Sequence, residues 1–162
     1  MSTFRIDYAE ASLINLLQNS LPGPNAYGSP VDVDSLGDKD FDEDGILVFR
    51  PPAVRVLYTG SDYTPTADNK RLTYNASHPF DVLCSESSLR SKADMRRQTL
   101  VLVSAVLDQL SGARLALADN STSMPVTILG VQLVVQPGGP VDQFYSISIT
   151  VPGIAQFDGA NS

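Results

Sequence analysis

The apolar positions change period along this chain, and the changes divide it into elements. Leu13, Leu16, Leu17 and Leu21 recur at helical spacing, with Asp7 and Glu10 near the start. This predicts a helix from about Asp7 to Ser20, stopped by Pro22-Gly23-Pro24. A polar stretch follows to about Asp44. Strands are predicted at Ile46–Arg50 and Ala53–Thr59, where Val54, Val56 and Tyr58 alternate, and Pro51-Pro52 forbids joining the two. Residues 60–70 read as a loop rich in Gly, Asp, Pro and Asn. Phe80, Val82 and Cys84 alternate in a strand over Phe80–Ser85, and a second helix spans about Lys92–Ser111. Ser91 followed by Asp94 makes a start like a capping box, and Gly112 makes a natural stop. Finally, Thr127–Gln136 and Gln143–Val151 flank Pro137-Gly138-Gly139-Pro140 as a hairpin. In its second arm Tyr145, Ile147, Ile149 and Val151 face one way, and Ser146, Ser148 and Thr150 the other.

The order helix, strands, helix, hairpin predicts an α+β fold, a mostly antiparallel β-sheet packed with two α-helices. The 162 residues read as a single domain, residues 1–162, with a flexible acidic loop at about 32–45 and a loose tail at about 153–162. The second helix is richer in apolar residues than one buried face requires: Leu100, Val101, Leu102, Val103, Ala105, Val106, Leu107 and Leu110. Such a helix is covered on more than one side. The cover is either the sheet plus the first helix, or the sheet plus a neighbouring subunit.

Charge narrows the function classes. The formal net charge is −7, the sequence pI is about 4.4, and a protein that grips nucleic acid through phosphates needs a basic face. With one cysteine, Cys84, no intramolecular disulfide and no cysteine metal site can form, and its place in the alternation marks a small buried hydrophobe. No stretch approaches the ~20 apolar residues of a membrane span. No long apolar run follows Met1-Ser2-Thr3-Phe4-Arg5, so no signal peptide is expected and the place of synthesis and action is expected to be cytoplasmic.

Candidate chemistry is sparse. His78 stands alone before Pro79 with no Gly-x-Ser-x-Gly elbow, and reads as a surface or turn histidine. Asp40-Phe41-Asp42-Glu43-Asp44-Gly45 matches the first half of a calcium loop. The twelfth position is Pro51 where a bidentate Glu is required, so a calcium-dependent binding module using Asp40, Asp42 and Asp44 is the outside alternative. No phosphate loop or paired-carboxylate arrangement is legible, so neither an enzyme nor a cofactor is expected. The stronger signal is charge placement. Arg90, Lys92, Arg96 and Arg97 crowd the start of the second helix, where they oppose its macrodipole. Asp40, Asp42 and Asp44 supply an acidic patch. Two opposite patches on one chain suit a head-to-tail contact between copies, the kind that closes into rings.

The element order resembles the tail-terminator proteins of Mu-like contractile-tailed phages and phage-tail-like particles. The resembling parts begin with Leu13-Ile14-Asn15-Leu16-Leu17, the strand Ala53-Val54-Arg55-Val56 after a proline pair, and Val82-Leu83-Cys84 running into Leu89-Arg90-Ser91. The helix ending Val106-Leu107-Asp108-Gln109-Leu110-Ser111-Gly112 and the final hairpin complete a likeness over about residues 5–151. The resemblance implies a virion protein of the tail, a hexameric ring at the head-proximal end of the tail tube. Its partners would be its own copies, the tube and sheath proteins, and a neck or head-completion protein, with DNA passing through the lumen without specific binding. The neighbouring alternative is another head-tail connector or tail-completion protein.

Overall fold

Two long strands form the spine of the computed structural model, which describes residues 5–21, 31–48, 52–66, 73–86, 92–116, 123–135 and 143–156. They are β4 (Thr73–Ser85) and β6 (Gln143–Gln156), paired antiparallel from Thr73 opposite Gln156 to Cys84 opposite Tyr145. Four shorter strands complete the sheet: β1 (Asp32–Ser35), β2 (Ala53–Tyr58), β3 (Asp62–Pro65) and β5 (Thr127–Val135). The strand order is β1-β2-β4-β6-β5, and only β1 and β2 run parallel. β2 and β3 share one edge of β4, β2 beside Phe80–Ser85 and β3 beside Tyr74–Ser77. Two helices, α1 (Ile6–Ser20) and α2 (Lys92–Leu110), pack on one face. The fold is α+β with a mostly antiparallel sheet, as the hydrophobic pattern predicts.

The period-2 alternation sends one set of side chains to the helices. Val54 and Val56 of β2, Phe80, Val82 and Cys84 of β4, and Ile147, Ile149 and Val151 of β6 meet Ala9, Leu13 and Leu17 of α1 and Leu102, Val103, Val106 and Leu110 of α2. Each such aliphatic side chain contributes about 1.5–3 kcal/mol on full burial. α1 lies over β1 and β2, while α2 lies chiefly over β4 and β6. α2 ends where the sequence says it should: Gly112 takes a positive φ of 70°, which a glycine adopts without strain.

The other face carries a smaller apolar cluster of Leu47, Ala53, Leu83 and Phe144, with Leu36 and Val134 packed against it. The acidic segment covers this cluster, so the predicted flexible loop at 32–45 is in fact structured. It holds β1, a 3-10 turn at Asp38–Asp40 and a bridge between Phe41 and Leu47. The physical reason is Arg55. Its side chain is 3% exposed, and the side chain of its partner Asp40 is 2% exposed. Arg55 Nε donates to Asp40 Oδ1 at 2.9 Å, Nη2 to Asp32 Oδ2 at 2.6 Å, and Nη1 to the Asp32 carbonyl at 2.8 Å. The other oxygen of Asp40 accepts the Gly37 N–H at 3.0 Å. Desolvation opposes the charge on Arg55, but the hydrogen bonds to Asp40 and Asp32 outweigh it and its pKa stands above the ordinary value.

Two other expectations need correction. β4 begins at Thr73, not Phe80, and β6 continues to Gln156 through the segment expected to be a loose tail. Pro152 ends neither strand, because it lies opposite Ser77 within the long β4–β6 pairing, and the pairs on both sides hold the register. The loop expected at 60–70 contains β3. Of the strand expected at Ile46–Arg50 the described part, residues 46–48, forms only the bridge of Leu47 to Phe41, and residues 49, 50 and 157–162 lie outside the described residues.

A buried charge stripped of its partner is worth more than the pair itself. Arg55→Met should therefore lower unfolding stability by about 3–5 kcal/mol in urea denaturation. The double variant Arg55→Met/Asp40→Leu should recover most of that loss. Equal losses in both would show that the segment is not held through this pair.

Candidate interaction surface

The catalytic candidates resolve first. His78 is not a surface residue: it lies on β4 and is 1% exposed. Its Nδ1 is hydrogen-bonded to Ser61 Oγ at 2.7 Å, and Ser61 Oγ also meets the hydroxyl of Tyr58. The ring of Tyr63 stands edge-on at 5.8 Å. Sequence reasoning missed Ser61, because nothing in a loop-like stretch signals that this residue, just before β3, will be set against His78 of β4. A hydroxyl beside an imidazole is the beginning of a nucleophile–base pair. Burial, however, lowers the His78 pKa to about 4, too low for a base working near neutrality. Cys84 is fully buried, which pushes its thiol up to about 12 and leaves it inert.

Of the three carboxylates that match the calcium loop, two are spent on local structure. Asp40 is enclosed with Arg55. Asp42 Oδ1 accepts the N–H groups of Asp44 and Ile46, both at 2.9 Å, which shapes the turn that Gly45 completes at a φ of 75°. Asp42, Glu43 and Asp44 are exposed, with the half-open ring of Phe41 beside them. Among the described residues no three His, Cys, Asp or Glu side chains converge as a metal site. None of the described helices is long and apolar enough to cross a membrane.

The basic cluster lies on the opposite side of the sheet. Arg96 and Arg97 are exposed on α2. Lys92 opens that helix, its side chain outside the described residues, as is Arg90 altogether. Acidic and basic patches therefore sit on different faces, α2 on the helix face and the 41–44 turn on the other, and the fold does not bring them together within one chain.

Apolar surface accompanies the charge. α2 buries Thr99, Leu102, Val103, Val106 and Leu110, but leaves Leu100 and Val101 in solvent, Val101 at 66% exposure. On the same face of the sheet, β5 is bare. Val131 and Leu133 pair with Ile147 and Tyr145, and Val135 with Gln143. Leu129 to Val135 at alternate positions nevertheless remain 37–63% exposed. The cause is width. Packed helices sit 8–10 Å apart and strands about 4.8 Å apart, so two helices span about four strands and the fifth lies beyond them. A protein that exposes this much contiguous aliphatic surface presents it to something.

No known protein family and no curated protein matches this chain by sequence. Its fold does have a solved counterpart. A chain described as part of the virion of a native gene transfer agent particle superposes with a TM-score of 0.54 at 14% identity, covering 90% of this chain and 94% of that one. At that identity the likeness is one of fold.

His78 makes a prediction about pH. Its folded pKa is depressed, so the unfolded chain binds the proton first as pH falls below about 6.5. Stability should fall from pH 6.5 towards pH 4, and His78→Gln should flatten the upper part of that decline in urea titrations. Identical pH profiles for both proteins would contradict the buried neutral imidazole. Likewise Cys84 should resist a thiol reagent in the native protein and react fully in denaturant; rapid native labelling would contradict its burial.

Proposed function

We propose that this protein is a structural component of a phage-like particle, a tail terminator that closes into a ring at the head-proximal end of the tail tube. The observation that carries the reading is the pairing of opposite charge with exposed apolar surface on two different faces. Arg96 and Arg97 adjoin Leu100 and Val101 on α2, and Asp42 and Asp44 adjoin Phe41 on the far side of the sheet. A patch on one copy is complementary to a different patch on the next, which is the requirement for a heterologous contact and hence for a ring. The fold likeness to a chain of a gene transfer agent virion supports the setting. The element order supports the finer role.

In this reading the hexamer is held by its own copies and joins the tube, the sheath and a neck or head-completion protein. The chain performs no catalysis and carries no cofactor. Its net charge of −7 suits a ring through which DNA passes, because an acidic wall does not trap phosphates. The contact is partly electrostatic, so it weakens with salt as the Debye length shortens from about 10 Å at 0.1 M.

The test is assembly. Native mass spectrometry and negative-stain microscopy should find rings, and labelled protein should sit at the head-proximal end of purified tails. Arg96→Glu with Arg97→Glu should reduce the ring fraction at least tenfold at moderate salt, and adding Glu43→Lys with Asp44→Lys, which spares the turn held by Asp42, should restore it. A strict monomer that never appears at the tail end would remove the proposal, and a ring indifferent to the double reversal would remove the charge contact.

A further inference from the structure

The open sides of the sheet are those of β1, β3, β5 and the end of β6 beyond Thr150. β3 is four residues long with Asp62 and Pro65, and the end of β6 carries Pro152, so both are blunted. On β1 the Val33 carbonyl accepts Gln18 Nε2 at 2.9 Å, and the Ser35 N–H donates to Asp34 Oδ1 at 2.8 Å. Asp32 and Leu36 send their N–H groups to the carbonyls of Pro52 and Val56, so residues 33 and 35 point their backbone groups away from β2. Side chains of the same chain thus occupy part of the outward edge. β1 is also only four residues long and contains Asp32 and Asp34. Shortness and charge are both devices that keep a strand from recruiting another.

β5 has none of these protections. It runs for nine residues, Thr127–Val135, without a charge or a proline. Among the described residues no side chain caps its outward backbone. Its one irregularity lies between Ile128 and Gly130, which leaves Val131–Val135 regular. Leu129, Val131, Leu133 and Val135 are the exposed side chains already noted.

We propose that β5 is the seam of a two-fold contact between two copies of this chain, each β5 running antiparallel to the other and centred on Leu133. Three arguments select a second copy. With β1 closed and β3 and the end of β6 blunted by shortness, charge or proline, β5 is the long regular edge left to extend the sheet, and a contact made by one edge on both sides is isologous. The register centred on Leu133 sets Val131 against Val135 of the partner subunit and Leu133 against Leu133 of the partner subunit. Every pair on the bare face is then aliphatic, and the bulge falls outside the paired stretch. Charge agrees as well. Neither β5 nor β6 contains a charged residue. β1 and its carboxylates lie four strand steps away, roughly 19 Å, more than two Debye lengths of about 8 Å at physiological salt. Two chains of net charge −7 therefore meet away from the acidic segment, and the sheet carboxylate nearest β5 among the described residues is Asp81, two strand steps off and hydrogen-bonded to Ser148.

The four exposed side chains present on the order of 300 Å² of apolar surface, and the edge backbone adds to it. A standard interface takes about 800 Å² per partner, so the seam is a reversible, concentration-dependent one. It goes beyond the ring reading and stands without it, since the ring contact uses α2 and the 41–44 turn.

Single-cysteine cross-linking tests it on the full chain, because Cys84 is buried and contributes no background. Oxidised Leu133→Cys should give disulfide-linked dimer whose yield rises with protein concentration. Val131→Cys should do so only when Val135→Cys is added, as directly opposed strand positions demand. Leu133→Lys should weaken dimerisation at least tenfold in sedimentation while leaving the circular dichroism spectrum unchanged. A Leu133→Cys yield no higher than that of an exposed helix control, Ser104→Cys, would overturn the seam. So would a dimer indifferent to Leu133→Lys. Arg96→Glu with Arg97→Glu separates the two proposals. Loss of rings with cross-linking intact leaves the seam standing, and loss of cross-linking while rings survive removes the seam alone.

Discussion

Two helices cannot cover this sheet, and most of what the molecule offers a partner follows from that mismatch. The pairing of β4 with β6 fixes a wide central ribbon, and β2 and β5 add a strand on either side. α1 and α2 then lie over β1, β2, β4 and β6, which buries Phe80, Ile147 and Ile149 completely. β5 keeps its hydrogen bonds to β6 and packs Ile128 on the core, but its later residues Val131, Leu133 and Val135 stay exposed. Its aliphatic row is the continuation of the same face that forms the core one strand away. The surface is apolar because the pattern that builds the core runs one strand further than its cover.

The second face shows the opposite strategy. There an acidic segment, which on composition alone would be expected to stay in solvent, is folded down by one cation. Arg55 binds Asp40 and Asp32, and Leu47 docks on Ala53, Leu83 and Phe144. A buried ion pair adds little net stability against a well-packed apolar substitute, but it specifies geometry strongly, since either charge alone is costly to bury. Its consequence is directional. Asp42 and Asp44 are presented on the side of the sheet away from Arg96 and Arg97, so the attraction between the patches can be satisfied only by another molecule.

How much of this was legible in the sequence depended on the range of the interactions. The ends of α1 and α2, the strand at Val54–Val56, the first arm of the terminal hairpin and the start of its second follow from local periodicity, capping glycine and turn residues, and they fell within a residue or so of prediction. Cys84 was readable because it shares the alternation of Phe80 and Val82. β1 and β3 were not readable, being four residues each and held by partners far along the chain. Pro79 and Pro152 misled, since a missing N–H marks a strand end only where pairing is short, and here it continues on both sides. Arg55 sits between Val54 and Val56 in the alternating strand and drew no expectation of its own. Its partners lie 15 and 23 residues away, and no local pattern announces them. The charge clusters were visible by number, but their placement on opposite faces, and the burial of Asp40, came only with the fold.

The most direct measurement is amide hydrogen exchange along β5, followed from dilute to concentrated protein. Over Gln143–Thr150 β6 pairs on both sides and should exchange slowly at every concentration. The outward amides of β5 should exchange quickly in dilute protein and become protected as the protein associates. Protection of β5 equal to that of β6 in a dilute monomer would mean that the chain covers the strand itself, and would contradict the account.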